Sequence, residues 1–288
     1  MRVAVLQFSP TLGVVAPNLA RILSAIDDAA RAQADLLVAP EMSLTGWTLA
    51  DSAQRAALVA SVHTAALPAL RRAAVSRQMG VLVGGPGHSG DVTDNASASS
   101  AANSVFALSA DGSLAVYRKI HLFEDERAWW VPGDAALVAD LGGVRVGVTI
   151  CYDAEFPEVP RVTRLAGAEM LVVPTTNMTP YERDQDVVFA TRAIENEIPV
   201  VVANRVGTEN GWNYFGRSVV MDRSGRVVAQ AGSEEELLIA DIDLSAAGDP
   251  GLSYLSRRRP QIYSRLLSTI ESDRRSRSLA QDHRSRGV

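Results

Sequence analysis

The chain has 288 residues, 47% of them apolar, and a formal net charge of −5 at pH 7. That length suits one large α/β domain or two small ones, with ample material for a core. The stretch Asp273–Val288 carries five Arg and two Asp, which leaves −8 on the rest, and an acidic body excludes nucleic acid and anionic membranes as expected partners.

Val3–Phe8 reads as a strand, entered directly from Met1 with no signal-peptide architecture. Asn18–Ala32 is helical, with Leu19, Ile22, Leu23 and Ile26 on one face. Asp35–Ala39 is a short strand stopped by Pro40. Ala56–Met79 reads as mostly helical with a break at Pro68, and Val81–Gly84 as the next strand. Ser97–Ala102, all small residues, reads as a loop. Asn103–Leu108 and Leu114–Tyr117 form a hairpin around Ala110-Asp111-Gly112. Val144–Ile150 is a strand, followed by a helix over 157–166. Met170–Val173, Tyr181–Asn196 and Pro199–Ala203 read as strand, helix, strand. Arg217–Met221 and Val227–Ala229 flank the turn Asp222-Arg223-Ser224-Gly225, and Leu237–Ile242 closes the core. Helix-linked strands mixed with hairpins predict an α/β fold of mixed sheets covered by helices. No linker or internal repeat divides the chain, and no apolar stretch is long enough to span a bilayer.

Two singletons mark the chemistry. Of 28 Lys and Arg, Lys119 is the only lysine, and Cys151 is the only cysteine. This chain uses Arg nearly everywhere that charge suffices, so the retained Lys is either a chance leftover or has a task for a compact ammonium with rotating donors. One Cys excludes an internal disulfide, and no CxxC or paired His suggests zinc; a lone Cys is otherwise an inert core residue. In α/β folds, functional groups collect beyond the carboxyl ends of strands. Glu41 follows Asp35–Ala39, and Asn177 follows Met170–Val173. Lys119 and Cys151 each follow what reads as a buried strand, and Asn204-Arg205 follows Pro199–Ala203. If those strands lie side by side, a carboxylate, an ammonium and a thiol share a cleft. The thiol is then a nucleophile, the carboxylate its proton carrier and the ammonium a partner for a developing oxyanion. His63, His88 and His283 are poorly placed to take part; His121, two residues after Lys119, could support the site.

Ala34-Asp35-Leu36-Leu37-Val38-Ala39-Pro40-Glu41-Met42-Ser43-Leu44-Thr45-Gly46-Trp47 resembles the glutamate motif of the nitrilase-type carbon–nitrogen hydrolases. Tyr117-Arg118-Lys119-Ile120-His121-Leu122-Phe123 resembles their lysine motif. Gly147-Val148-Thr149-Ile150-Cys151-Tyr152-Asp153-Ala154-Glu155-Phe156-Pro157-Glu158 resembles their cysteine motif. The likeness runs from Val3 to Arg258-Arg259-Pro260-Gln261-Ile262-Tyr263. It implies a four-layer α-β-β-α sandwich over residues 1–270, with 271–288 left as an Arg-rich, disordered tail, and assembly into homodimers or larger homo-oligomers. It implies Glu41 as general base and acid, Lys119 as oxyanion stabiliser and Cys151 as nucleophile, with no cofactor and no metal. A second glutamate ahead of a Pro-Gly pair is matched by Glu126, six residues before Pro132-Gly133. Glu124 and Asp125 compete for that role, and a solvated acidic loop is the alternative to all three.

One cysteine, no signal-peptide architecture and no bilayer-spanning stretch make a reducing cytoplasm the expected compartment. The resemblance implies an enzyme that hydrolyses a non-peptide amide through a Cys thioester, releasing an acid and ammonia or an amine. Cys151-Tyr152-Asp153 resembles the amidase branch more than the Cys-Trp-Glu of nitrilases. N-carbamoyl amidohydrolases and nitrilases remain rivals on the same site. An acyltransferase using the same thioester and a non-catalytic small-molecule binding protein remain rivals of another class. Tyr152 and Asn177 are the candidate substrate contacts, with a turn-forming Asn as the alternative at 177. Trp129-Trp130 either cover the pocket mouth or pack as core aromatics. Gly85-Pro86-Gly87-His88-Ser89-Gly90 has GxGxxG spacing, but no amphipathic helix follows it in the sequence, so a nucleotide site is not expected.

Overall fold

The strands of the first half pair into one six-stranded sheet: β1 (Arg2–Gln7), β2 (Leu36–Val38), β3 (Gly80–His88), β4 (Ala101–Leu108) and β5 (Leu114–Arg118), joined at the far edge by β14 (Glu236–Asp241). The order is β14-β1-β2-β3-β4-β5, with β1, β2 and β3 parallel. A second sheet holds β6 (Leu137–Leu141), β7 (Val144–Val148), β8 (Met170–Pro174), β9 (Val200–Ala203), β12 (Val219–Met221) and β13 (Val227–Gln230), in the order β13-β12-β9-β8-β7-β6. Here β7, β8 and β9 are parallel. A short ribbon, β10 (Val206–Glu209) with β11 (Trp212–Phe215), stands apart from both. This computed structural model describes residues 1–90, 101–245 and 253–267. It divides into two compact units, Met1–Leu252 and Ser253–Val288; in the second, Pro260–Leu267 forms a 3₁₀ helix. The tail 271–288 and positions 97–100 of the small-residue stretch lie outside the described residues.

Alternation along the strands sets the layers of the first unit. Val3 and Val5 point to one side of β1, Ala4 and Leu6 to the other, and both sides are buried. Ala4, Leu6, Leu37, Val81 and Phe106 pack under α1 (Ala16–Arg31), α2 (Ser52–Ser61) and α3 (Leu67–Arg77). Val3, Val5, Leu36, Val38 and Leu82 meet Val146, Val148, Val172 and Val201 of the second sheet. Leu171, Val173, Val200 and Val202 face outward again onto Phe189 and Ala193 of α6 (Glu182–Asn196), beside α5 (Glu158–Leu165). The result is helix, sheet, sheet, helix. Strands covered on both faces read as continuous apolar runs rather than alternating ones, which is why they are easy to find in the sequence.

Four local expectations are corrected. Ala101 and Ala102 are not loop: they open β4 opposite His88 and Gly87. Their small side chains suit a close strand pair as well as a loop. β5 is not a buried strand but a sheet edge, with Leu114 exposed and only Tyr117 fully covered. The helical region begins earlier than Ala56, and its irregularity is a single π turn, Val62–Ala66, just ahead of Pro68. Pro68 then sits at the start of α3, where its missing N–H costs little. Finally, Gly85 to His88 extend β3 beyond the expected end at Gly84. β6, β10, β11 and the short helix α4 (Glu126–Trp129) were not anticipated.

Candidate active site

Strand direction brings the two sheets' functional ends together. β5 is antiparallel to β4, which is antiparallel to β3, so β5 runs the same way as β2. Glu41 and Lys119 therefore leave the same edge of the first sheet. Cys151, Thr175–Asn177 and Asn204 leave the corresponding edge of the second, after β7, β8 and β9.

Glu41 sits in a tight turn after β2, pressed against Gly84 of β3. A Cβ on residue 84 would come 2.5 Å from Met42 N and 2.8 Å from Glu41 Cα, so only glycine lets the turn lie this close. Lys119 is pinned by its backbone: its N–H donates to Asn103 O at 2.9 Å and its carbonyl accepts from Gly133 N at 2.8 Å. The side chain is 1% exposed. Its Nζ lies 2.7 Å from Glu41 Oε1 and 2.8 Å from Glu126 Oε2. Asn103 Nδ2 closes the ring, donating to Glu41 Oε1 at 2.7 Å and Glu126 Oε1 at 2.8 Å. Trp47 Nε1 and the Phe123 N–H also donate to Glu126. Thr176 Oγ1 donates to Glu41 Oε2 at 2.7 Å. Charge-assisted bonds of this length are the strong kind, and removing one partner would strand a buried charge.

Cys151 stands where β7 gives way to the 3₁₀ turn Cys151–Glu155. Its φ of +47° is left-handed, a conformation that costs a non-glycine residue about 1–3 kcal/mol and turns the side chain out at a strand end. The thiol contacts Asn177 Oδ1 at 3.5 Å, an oxygen that also accepts from Thr175 Oγ1 at 2.7 Å. Asp153, fully buried, locks this elbow to the lysine segment. It accepts from Tyr117 Oη at 2.8 Å, from His121 N at 2.7 Å and from Ile120 N at 3.2 Å, and from Ile150 N at 3.3 Å beside the cysteine.

Loss of solvation pushes the Cys151 thiol well above its ordinary pKa, and the Glu41 carboxylate adds to that; Lys119 and the Thr175 and Thr176 donors work the other way. Burial likewise raises Glu41, with Lys119 opposing and Glu126 adding to the rise. For Lys119, burial disfavours the ammonium, but Glu126 and Glu41 outweigh it and hold the group well above the usual lysine value. The resting site is thus a neutral thiol beside a cation clamped by carboxylates. It faces a cavity of about 300 Å³ whose lining includes Cys151, Lys119, Thr176, Trp47 and Tyr152.

The description "carbon-nitrogen hydrolase" belongs to the family profile that matches residues 2–249. The chain belongs to the carbon–nitrogen hydrolase family. An (R)-stereoselective amidase from a Pseudomonas species is 35% identical over 263 residues, covering 90% of this chain and 92% of its own. A nitrilase from Pyrococcus abyssi is 32% identical over 248 residues, covering 85% and 90%. Among solved structures, an amidase from Nesterenkonia sp. superposes with a TM-score of 0.80 at 29% identity, over 93% of this chain and 96% of that one. One variant of the Nesterenkonia sp. AN1 amidase, with a glutamine in place of a glutamate, shows the product of Michael addition of acrylamide at the active-site cysteine. This carbon–nitrogen hydrolase is accordingly an enzyme of the amidase and nitrilase type, acting on carbon–nitrogen bonds other than peptide bonds.

Within this carbon–nitrogen hydrolase, Glu41, Lys119 and Glu126 meet in one buried cluster, and Lys119 and Cys151 line one cavity. Of the three acidic neighbours weighed for the second glutamate, Glu126 is buried on Lys119, while Glu124 and Asp125 are exposed. Tyr152 and Asn177 both line the cavity, but Asn177 spends its side chain on protein: Nδ2 donates to Gln185 Oε1 at 3.1 Å. His121 hydrogen-bonds Asp153 and stacks on Phe156, outside the Lys119 cluster. Trp130 is core, and Trp129 packs edge-on against Trp47. Sequence reasoning missed Asn103, Asp153 and Glu209 as site residues, and placed Thr176 and Arg205 at strand ends without their partners. Glu209 accepts from Trp47 N and Thr48 N and holds Arg205 Nη1 at 2.6 Å, fixing the Trp47 wall. An Asn among small and apolar residues, as at 103, is the kind of buried polar residue that could have been flagged. Among the described residues no cluster of three or more His, Cys, Asp or Glu side chains could hold a metal ion. No helix among them is long and apolar enough to cross a membrane.

Proposed function

We propose that this enzyme hydrolyses a small non-peptide amide through a thioester on Cys151. The observation that carries the reading is the Glu41–Lys119–Glu126 cluster, with Nζ held at 2.7 and 2.8 Å, opening onto the same cavity as the thiol. Because the thiol's pKa is raised, sulfur attacks as it loses its proton, and Glu41 takes that proton. The new C–S bond pushes charge onto the carbonyl oxygen, which Lys119 and the Tyr152 N–H stabilise. Collapse breaks the C–N bond as Glu41 returns the proton to the leaving nitrogen. Glu41 then draws a proton from water, the oxygen adds to the thioester, and the C–S bond breaks as the proton passes back to sulfur. The thiol and the Glu41 carboxylate are restored. Glu126 and Asn103 orient Lys119 and Glu41 throughout.

Ammonia release from a panel of aliphatic, aromatic, ω-amide, carbamoyl and nitrile compounds tests this, with Cys151→Ala as the blank. Amides are expected to dominate, with an acyl adduct on wild type visible by intact mass. Release that persists in Cys151→Ala would defeat the proposal. A reducing compartment, the cytoplasm, suits a lone, half-buried cysteine. Self-association belongs to the same reading. Val162 and Leu165 of α5 and Val187 and Ile194 of α6 are exposed, a surface that a second copy would cover. The paired substitution Val162→Glu, Leu165→Glu is expected to give a smaller species by light scattering; a monomeric wild type would end that idea.

A further inference from the structure

The cavity beside Cys151 has a character that amide hydrolysis alone does not require. Phe123 stands edge-to-face against Tyr152, with centroids 5.4 Å apart at 71°, and against Tyr181, at 5.9 Å and 86°. All three rings line the cavity. Rings gathered around one space in this way can present π faces, the electron-rich side of each ring, to a cation. Two carboxylates, Glu124 and Glu155, line the same cavity. Among the described residues Lys119 is its only cationic lining residue, and that charge is matched by Glu41 and Glu126. Thr176 and Asn177 direct their polar atoms to protein partners. The far end of a substrate meets aromatic surface and, at the exposed side, the Glu124 carboxylate. An ammonium is welcome there, and a carboxylate would meet like charges across weakly polar walls.

The geometry points to an ammonium subsite: Phe123, Tyr152 and Tyr181, flanked by Glu124 and Glu155, receive the positive end of a short amino amide whose carbonyl lies at Cys151. This rests on the amide-hydrolase reading and names its substrate class. The cavity's 300 Å³ holds about ten small-molecule heavy atoms at the ~30 Å³ that a water occupies. That is enough for an amide, a short aliphatic spacer and an ammonium.

Three probes of matched size test it: pentanamide, its isostere 4-aminobutanamide, and the anionic succinamate. On wild type, kcat/KM for 4-aminobutanamide is expected to exceed that for pentanamide by roughly fivefold or more, with succinamate lower than pentanamide by a similar factor. High salt should narrow both ratios. Glu124→Gln and Glu155→Gln should each pull the cationic-to-neutral ratio toward one, and Tyr181→Leu should do so at unchanged charge. Pentylammonium should inhibit pentanamide hydrolysis better than pentanoate, a reading that needs no variant to fold. Equal kcat/KM for the three probes, or a preference for succinamate, overturns the subsite. So does a ratio that survives in all three variants. If other amides give Cys151-dependent ammonia while these probes do not, the subsite falls and the hydrolase reading stands. If no amide in the panel exceeds the Cys151→Ala blank, both fall.

Discussion

On the first sheet's carboxyl edge, Lys119, Glu41, Glu126 and Asn103 are tied by contacts of 2.7 and 2.8 Å in a fully buried ring. On the second sheet's edge, Cys151 holds a thiol 3.5 Å from Asn177 on a left-handed backbone, partly exposed to the cavity. One half is charged and over-determined; the other is neutral and strained. The charged half has its ordering cost met by folding, so its field is fixed before substrate arrives. On the proposed route the neutral half is where bonds change, and its contact with Asn177 is loose. Asp153 is the seam between them, accepting hydrogen bonds from both segments.

The largest test of this contrast is Lys119→Arg. It keeps the charge but replaces a point donor with a planar fork in a slot closed by two carboxylates. Turnover of the best amide is expected to drop by roughly 10³-fold, with a cooperative thermal melt retained. Near-normal kcat would show that the slot needs only charge.

Glu41→Gln comes next, with a loss of about 10²–10⁴ in kcat/KM. Its pH behaviour is the sharper reading. Glu41 must be ionised to accept the thiol proton, and burial raises its pKa, so wild-type kcat/KM should fall as pH drops through a value above the ordinary glutamate range. The stability sign is opposite. A carboxyl raised on folding favours the folded chain in its protonated form, a contribution present at low pH and lost as pH rises through the raised value. Alkylation of Cys151 by iodoacetamide should follow the same acid limb, since the thiol itself ionises far higher. A profile governed by a step at the free thiol's usual value would show the nucleophile to be independent of the charged half.

Asp153→Asn cuts the seam with the smallest effect of the three. One acceptor oxygen replaces two, leaving some of the Tyr117, Ile120, His121 and Ile150 donors short. A loss of about 1–3 kcal/mol by chemical denaturation is expected, with a modest decrease in kcat. Unchanged stability would mean the two halves are held together elsewhere.

The legible part of this molecule was its buried parallel framework. Leu36–Val38, residues 146–148 of β7, Met170–Pro174 and Val200–Ala203 are buried throughout, so their apolar runs show directly, and the residues at their ends mark the site. β6, β10 and β11 escaped because edge and ribbon strands mix exposed polar residues with buried ones over only four or five positions. Lys119 was found for its rarity rather than its strand, which turned out to be an edge. Asn103 and Asp153 carry no singular composition. Their roles come from meeting residues 23 to 62 positions away, a pairing that only the packed sheets create.

The chain's single lysine is 1% exposed. Acylating labels therefore find no lysine on the folded surface, where the Met1 α-amine is the competing target, and every label that does arrive at position 119 records a moment when the carboxylate ring came apart. The rate at which position 119, mapped apart from the N-terminus, takes up such a reagent is a built-in clock for local opening of the buried Lys119 cluster.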